Sequence, residues 1–118
     1  MLKVYAYASC DTCRKALKFL RAEGIAFEEL PIRETPPTKA ELREMLAAQG
    51  GDLRRLFNTS GRDYKALGLS AKLPSMSEAE AIDLLASNGN LVKRPFAIGA
   101  GIHLVGFKED AWRGALKP

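Results

Sequence analysis

Residues 2–7 read Leu-Lys-Val-Tyr-Ala-Tyr, and residues 9–16 read Ser-Cys-Asp-Thr-Cys-Arg-Lys-Ala. The first run alternates and is rich in β-prone residues, which predicts a strand. The second run opens an amphipathic pattern that predicts a helix over residues 11–23. Cys10 and Cys13 therefore lie where a strand gives way to a helix, a context in which a Cys-x-x-Cys spacing indicates redox chemistry.

The chain beyond this stretch continues as strand and then helix. Residues 25–32 are β-prone and bounded by prolines, so they predict a second strand and a parallel β-α-β unit. Thr38 and Ser77 each begin a capping box, which is typical of a helix start. These signals predict a helical insert over about residues 38–88.

Strand character returns after the insert. Residues 96–98 and 102–107 flank a Gly-Ala-Gly turn and predict a hairpin, and a last short helix is expected to hold Trp112 and Leu116. The order β-α-β, helices, β-β-α predicts an α/β fold in which helices cover a mixed four-stranded sheet. We expect a single domain spanning residues 1–118.

Composition and charge narrow the class of protein. Of 118 residues, 47% are hydrophobic and 27% charged, an ordinary globular balance that fits one domain. The sequence contains neither a long apolar run nor a signal-peptide pattern, so we expect a cytoplasmic protein without membrane contact. The net charge of +4 is spread along the chain, which favours small anions or acidic surfaces over direct nucleic-acid binding.

The two cysteines are expected to play different roles. Backbone N–H groups and the macrodipole at a helix N-terminus stabilise an anion, so Cys10 should ionise more readily than a free thiol with a pKa of about 8.5. Cys13 falls on the apolar stripe of the helix and is the candidate resolving thiol. Arg14 could add positive potential and Asp11 subtract it. Thr12 is a candidate hydrogen-bond donor to the thiolate, or simply a first-turn helix residue.

Two plainer interpretations of the cysteines stay open. Cys13 could be a small core residue and Cys10 an incidental surface thiol. A zinc site would need about four ligands, and beyond the cysteines the chain offers only His103, in a predicted strand, and carboxylates. We therefore expect no bound metal.

The sequence resembles the arsenate reductase-like family of thioredoxin-fold proteins, which includes the Spx regulators and the YffB-type reductases. Besides residues 9–16, the resemblance is carried by Phe-Asn-Thr-Ser-Gly at 57–61, Tyr-Lys-Ala-Leu-Gly-Leu at 64–69, Leu-Val-Lys-Arg-Pro at 91–95 and Val-Gly-Phe at 105–107. It implies a thioredoxin-like fold and a cis peptide between Arg94 and Pro95 that faces the cysteines. Without that resemblance, the proline would mark only a strand edge or a turn, with a solvated arginine beside it.

The resemblance also implies roles for individual residues. In the arsenate reductases of this family, a Cys-x-x-x-Arg pattern holds the nucleophile and three further arginines hold the oxyanion. Cys10 and Arg14 match the first pattern, and Arg94 matches one of the three arginines. The other two positions fall on Asn58 and near Gly106, and those reductases have a serine in place of the second cysteine.

An oxyanion pocket built in that way is incomplete, because it relies on planar bidentate contacts from several guanidinium groups. Substitutes for the missing arginines could come from Arg54, Arg55 or Arg62.

Three functions follow as expectations. The first is a thiol-disulfide oxidoreductase without a bound cofactor, in which Cys10 attacks a small thiol-derived or disulfide substrate, Cys13 resolves the adduct, and glutathione, a glutaredoxin or a thioredoxin supplies electrons. Arg14 and Arg94 would then stabilise the thiolate or an anionic substrate group. The second is an Spx-like redox-sensing regulator that binds the C-terminal domain of the RNA polymerase α-subunit. The third is an arsenate reductase that depends on glutathione and glutaredoxin.

Overall fold

Helices and strands follow one another in the order that the sequence predicts. The computed structural model describes residues 1–116. The strands of that part are β1 (Leu2–Ala6), β2 (Phe27–Pro31), β3 (Phe96–Gly99) and β4 (Ile102–Val105), and its α-helices are α1 (Asp11–Ala22), α2 (Lys39–Ala48), α3 (Arg62–Ala66), α4 (Leu69–Lys72), α5 (Glu78–Ser87) and α6 (Glu109–Ala115). Short 3-10 turns lie at Leu53–Leu56, Leu73–Ser75 and Gly89–Leu91. None of the helices within residues 1–116 is both long and apolar enough to cross a bilayer.

The four strands form one mixed sheet in the order β2-β1-β3-β4. Strand β1 pairs in parallel with β2 and antiparallel with β3, and β3 pairs antiparallel with β4. The predicted mixed sheet, with its helical insertion between the second and third strands, is confirmed. Because β1 is central, its carboxyl end delivers the chain directly into the turn that carries Cys10.

Alternate side chains of β1 point to opposite faces of the sheet and pack into two separate apolar clusters. Val4 faces a cluster that also contains Cys13 and Trp112, between the sheet and helices α1 and α6. Tyr5 faces the larger cluster formed with the insert, where its ring meets Phe96 edge-on at 5.8 Å between centroids. Strand β1 is therefore buried on both faces, which fixes the position of the turn that follows it.

Two predicted strand boundaries are too wide. The predicted strand at residues 25–32 begins only at β2, because the Ile25 N–H donates to the Leu20 carbonyl and closes helix α1. The predicted strand at residues 102–107 ends with β4, because Gly106 adopts a φ of +68° that turns the chain.

The predicted starts of the two long insert helices are confirmed. Thr38 and Ser77 each accept a hydrogen bond from the backbone N–H three residues ahead, and the glutamates there, Glu41 and Glu80, complete both capping boxes. In the last helix, Trp112 is buried, whereas Leu116 lies just beyond the end of α6.

Candidate functional site

The turn from Tyr7 to Cys13, called here the cysteine turn, lies at the carboxyl end of β1. Cys10 is the N-cap of helix α1, and its Sγ accepts a hydrogen bond from the Cys13 backbone N–H at 3.4 Å. The Cys10 N–H in turn donates to the Tyr7 carbonyl at 3.0 Å. The sulfur therefore lies at the helix N-terminus, next to the N–H groups of the first turn that have no partner within the helix.

The two sulfurs differ in exposure. Cys10 is partly exposed, while Cys13 is 0% exposed and belongs to the cluster between the sheet and α1. Both are free thiols. An external reactant can therefore approach the Cys10 sulfur, whereas the Cys13 sulfur is closed to it.

Their pKa values are displaced in opposite directions. Partial burial works against ionisation of Cys10, but hydrogen bonds from the Cys13 thiol and backbone N–H, together with the charge of Arg94, hold the pKa of Cys10 below its usual value. Burial is the main reason that the pKa of Cys13 is raised to about 12, and the neighbouring Cys10 adds to that effect. Cys10 is therefore the first of the pair to become a thiolate.

Arg94 lies on the segment that faces the cysteine turn. The peptide bond between Arg94 and Pro95 is cis, as the family resemblance implies. The Arg94 guanidinium carbon lies 5.0 Å from the centroid of the Tyr7 ring. Its Nη1 atom is buried and has no hydrogen-bond partner within residues 1–116. Because leaving a buried donor unpaired costs free energy, this N–H group is suited to an acceptor on a ligand.

Arg14 and Thr12 take other positions. The Arg14 guanidinium pairs with the Asp11 carboxylate and donates to the Ala8 carbonyl at 3.2 Å. Its charge is therefore shared with a carboxylate one turn back, and Arg94 is the arginine whose charge lowers the pKa of Cys10. Thr12 is exposed on the first turn of α1.

An open cavity of about 410 Å³ adjoins the cysteine turn through Arg94. We call it the arginine cavity; its lining residues are Tyr7, Arg33, Asn58, Gly61, Arg62, Asp63, Asn90 and Arg94. Of the three arginines that could replace the missing ones, Arg62 lines this cavity, whereas Arg54 and Arg55 line two others.

Sequence reasoning did not single out Tyr7, Arg33 or Asn90 for this cavity. A signal for two of them exists, because Tyr7 follows β1 and Arg33 follows β2. These strands are parallel neighbours, so residues just beyond their carboxyl ends meet at one edge of the sheet. Asn90 carries no comparable signal, since its position depends on how the insert folds back.

Gly89 is what brings the Asn90 segment against the sheet. A Cβ atom on Gly89 would lie 1.8 Å from the carbonyl oxygen of Ile32, far inside any real contact. Only glycine lets the 3-10 turn approach the residue that precedes Arg33 so closely. One wall of the arginine cavity therefore depends on this contact between two backbones.

Comparison with known proteins places this arrangement in a family. The model of the ArsC family matches residues 5–115. The chain belongs to the ArsC family. Protein YusI of Bacillus subtilis, which is uncharacterized, is 48% identical over 109 residues, covering 92% of each chain. The crystal structure of an ArsC family related protein from Bacteroides fragilis matches with a TM-score of 0.90 and 42% identity, over 97% of this chain and 96% of that one.

Relatives within the ArsC family carry two kinds of function. An arsenate reductase of Rhizobium meliloti is 33% identical over 95 residues, which cover 80% of this chain and 66% of that protein. The global transcriptional regulator Spx of Streptococcus agalactiae is 28% identical over 116 residues, covering 98% of this chain and 83% of that one. Membership of the ArsC family is thus compatible with either an enzyme or a regulator.

The two positions where the resemblance implies further arginines, Asn58 and one near Gly106, lie in different parts of the surface. Asn58 lines the arginine cavity, while Gly106 lies in the turn after β4 and lines a different one. In this ArsC-family chain, Arg33 and Arg62 join Arg94 around the cavity. The guanidinium groups near the cysteine turn therefore come largely from other parts of the sequence than the resemblance implies.

Proposed function

We propose that this chain is a thiol-disulfide oxidoreductase that uses Cys10 and Cys13 as a dithiol. The observation that carries the proposal is the hydrogen bond at 3.4 Å from the Cys13 N–H to the Cys10 sulfur, at the N-cap of α1. It stabilises a thiolate on the accessible cysteine and keeps the second cysteine one helical turn away. A buried thiol in that position is suited to resolving an adduct on Cys10.

The first step is attack on a substrate disulfide. The Cys10 thiolate forms a bond to one substrate sulfur, the substrate S–S bond breaks, and the other half leaves as a thiolate. The positive charge of Arg94 and the helix N-terminus stabilise the attacking sulfur before this step. The product is a mixed disulfide on Cys10.

Cys13 completes the reduction. Once Cys10 is in a mixed disulfide it no longer carries the negative charge that contributes to the high pKa of Cys13. The Cys13 proton passes to the departing thiolate or to solvent, and the Cys13 sulfur attacks Cys10. A Cys10–Cys13 disulfide forms and the second substrate thiol leaves, so two electrons pass from the dithiol to the substrate.

Return to the reduced protein requires an external thiol. Glutathione, or a dithiol protein such as a glutaredoxin or thioredoxin, would attack the Cys10 sulfur, which is the exposed end of the pair. Two thiol groups of the reductant are oxidised as the Cys10–Cys13 disulfide is reduced. No bound cofactor takes part in this cycle.

The test is turnover of disulfides by the purified protein. The reduced protein is mixed with a glutathione mixed disulfide as substrate and with glutathione as reductant. Thiol release is followed through a glutathione-recycling system. We expect turnover by the wild type and none by Cys10→Ser. When glutathione is left out, Cys13→Ser should hold a stable mixed disulfide, visible by intact mass. Turnover that survives Cys10→Ser, or its absence in the wild type, would refute the proposal.

A second candidate is an Spx-like regulator, favoured by the Spx alignment over 98% of this chain. In such a protein, the same disulfide would change a surface that binds the C-terminal domain of the RNA polymerase α-subunit. Pull-down of that domain by the oxidised and reduced forms tests it. Capture by one redox form alone, without disulfide turnover, would favour the regulator.

Arsenate reduction ranks third, because two positions where the resemblance implies arginines, Asn58 and one near Gly106, lack them. Arsenate is therefore included as a further substrate in the turnover assay, with glutathione and glutaredoxin present. Reduction of arsenate at a rate comparable to that of the disulfide would reverse this ranking.

A further inference from the structure

We propose that the arginine cavity binds carboxylate groups of the disulfide substrate, and that Arg33 and Arg62 make the protein prefer anionic disulfides. The proposal rests on the proposed function, because it assigns the substrate class of the same cysteine pair. It is carried by the grouping of Arg33, Arg62 and Arg94 around one cavity, with Arg94 also acting on Cys10.

The Tyr7 ring positions two of these arginines. The guanidinium carbons of Arg33 and Arg94 lie 4.9 Å and 5.0 Å from the ring centroid. Arg33 also donates a hydrogen bond from Nη1 to the Tyr7 hydroxyl at 2.9 Å. A neutral aromatic ring can hold cations through its π face without neutralising them. Both arginines are therefore oriented while their charge stays available.

The charges in the cavity are not balanced by the protein. Within residues 1–116, none of Arg33, Arg62 and Arg94 makes an ion pair shorter than 4.0 Å, although other arginines of the chain do. One carboxylate, Asp63, lines the same cavity. Three guanidinium groups facing one carboxylate leave the cavity positive, which favours an anionic ligand.

Asp63 is itself held by neighbours from another segment. Its Oδ2 accepts hydrogen bonds from the side-chain amides of Asn88 at 3.0 Å and Asn90 at 3.4 Å. The carboxylate of Asp63 is therefore hydrogen-bonded by amides and does not take up the charge of an arginine. Arg62, the next residue along the chain, is exposed at the cavity and stays unpaired within the described part of the chain.

Arg94 links the cavity to the reacting sulfur. Its charge lowers the energy of the Cys10 thiolate, and its buried Nη1 atom lacks an acceptor within residues 1–116. A substrate with its disulfide at Cys10 can therefore extend an acidic tail past Arg94 towards Arg33 and Arg62. A volume of about 410 Å³ suits a small organic acid, and guanidinium groups hold carboxylates through paired hydrogen bonds.

Three dialkyl disulfides that differ mainly in charge test the site: dithiodipropionate, which is anionic, hydroxyethyl disulfide, which is neutral, and cystamine, which is cationic. The second-order rate constant for oxidation of the reduced protein is measured by acid quench and intact mass. Each value is divided by the rate constant for the same disulfide with dithiothreitol, a neutral dithiol unrelated to the three disulfides, which removes differences in intrinsic reactivity. We expect a preference of about tenfold for dithiodipropionate over hydroxyethyl disulfide, and cystamine to react slowest.

The variants separate the cavity from the overall charge of the protein. In Arg33→Gln with Arg62→Gln, the preference for dithiodipropionate over hydroxyethyl disulfide should fall by about threefold to tenfold, mainly because the rate towards dithiodipropionate falls. A circular dichroism spectrum like that of the wild type shows that the variant is folded. Arg43→Gln, alone and paired with Lys39→Gln, is the charge-matched control, because both residues lie on α2 outside the cavity lining and are exposed. These controls should leave the preference intact.

The outcomes distinguish the two proposals. Failure of all three disulfides to oxidise the protein would contradict the proposed function. Reaction with all three, but without a preference that depends on Arg33 and Arg62, would overturn the carboxylate site alone. An equal loss of preference in the control on α2 would also overturn it, since the effect would then be one of net charge.

Discussion

The cysteine turn and the arginine cavity share Tyr7, and Arg94 of the cavity acts on Cys10. The polar groups of the two regions are nevertheless satisfied to very different degrees. In the turn, the Cys10 sulfur receives a backbone N–H, and Arg14 is paired with Asp11 and the Ala8 carbonyl. In the cavity, Arg33 and Arg62 make no ion pair with any described residue closer than 4.0 Å. The turn therefore satisfies most of its own polar groups and takes one charge from Arg94, whereas the arginines of the cavity have no anionic partner among the described residues. Our proposal assigns that partner to the substrate.

The largest effect expected is on thiol reactivity in the turn. In Cys10→Ser, the one remaining thiol is Cys13, which is fully buried, and this burial still raises its pKa although the contribution of Cys10 is gone. Alkylation of the native protein by iodoacetamide at pH 7.5 should therefore fall by about 1000-fold or more, since the thiolate reacts and is scarce far below its pKa. Rapid labelling of Cys13 in the native variant would reverse the assignment of the two roles.

The same measurement in denaturant is the control for Cys10→Ser. Unfolding removes the burial of Cys13, so one equivalent of iodoacetamide should react at an ordinary thiol rate. Recovery of labelling there shows that the slow reaction of the native variant comes from the fold.

The next effect is on stability and concerns the cavity wall. Gly89→Ala would place a Cβ atom 1.8 Å from the Ile32 carbonyl oxygen, so the 3-10 turn must move away from the sheet. The free energy of unfolding should fall by roughly 2–3 kcal/mol, measured by urea denaturation. The Cys10 alkylation rate should change little, because the cysteine turn lies on a separate segment.

Gly114→Ala is the matched control for that substitution. Gly114 lies in helix α6 with nothing within 4 Å of an added Cβ atom, so alanine there should be neutral or stabilise by up to about 1 kcal/mol. A similar loss in both variants would show that the close approach at Gly89 does not limit stability.

These two regions also differ in how far the sequence predicts them. The N-cap position of Cys10 and the burial of Cys13 follow from local rules, because helix capping and the 3.6-residue period act within one turn of chain. The same motif leaves the effect of Arg14 open, because Asp11 can offset its charge, and the structure shows these two side chains paired.

The arginine cavity depends instead on contacts between distant segments. Arg33, Arg62 and Arg94 meet because β2 and β3 flank β1 and because Gly89 allows the insert to close on the sheet. Helical periodicity and capping patterns do not predict that these three arginines lie around one cavity. Only the positions of Tyr7 and Arg33 beyond two parallel strands could have been inferred from the order of the elements.

A smaller effect is expected on the pH dependence of Cys10. In Arg94→Gln, the charge that helps to lower the pKa of Cys10 is removed, so the midpoint of its alkylation profile should move to higher pH. The rate below that midpoint should fall severalfold, because less thiolate is present, and the plateau at high pH should stay close to that of the wild type.

Arg14→Gln sharpens this comparison, since it removes one positive charge from α1 itself. Because Arg14 is paired with Asp11, its loss should move the profile much less than the loss of Arg94. A larger shift for Arg14→Gln than for Arg94→Gln would mean that the turn carries its own positive charge and does not depend on the cavity.

The smallest effect expected is that of Tyr7→Phe. The substitution keeps the ring against Arg33 and Arg94 and removes only the hydroxyl that accepts from Arg33 at 2.9 Å. Since Arg33 is exposed and keeps its charge, the preference for dithiodipropionate over hydroxyethyl disulfide should fall by about twofold or less. A loss as large as that of the double arginine variant would mean that the Tyr7 hydroxyl itself contacts the carboxylate, and that Arg33 supports the tyrosine instead of being oriented by it.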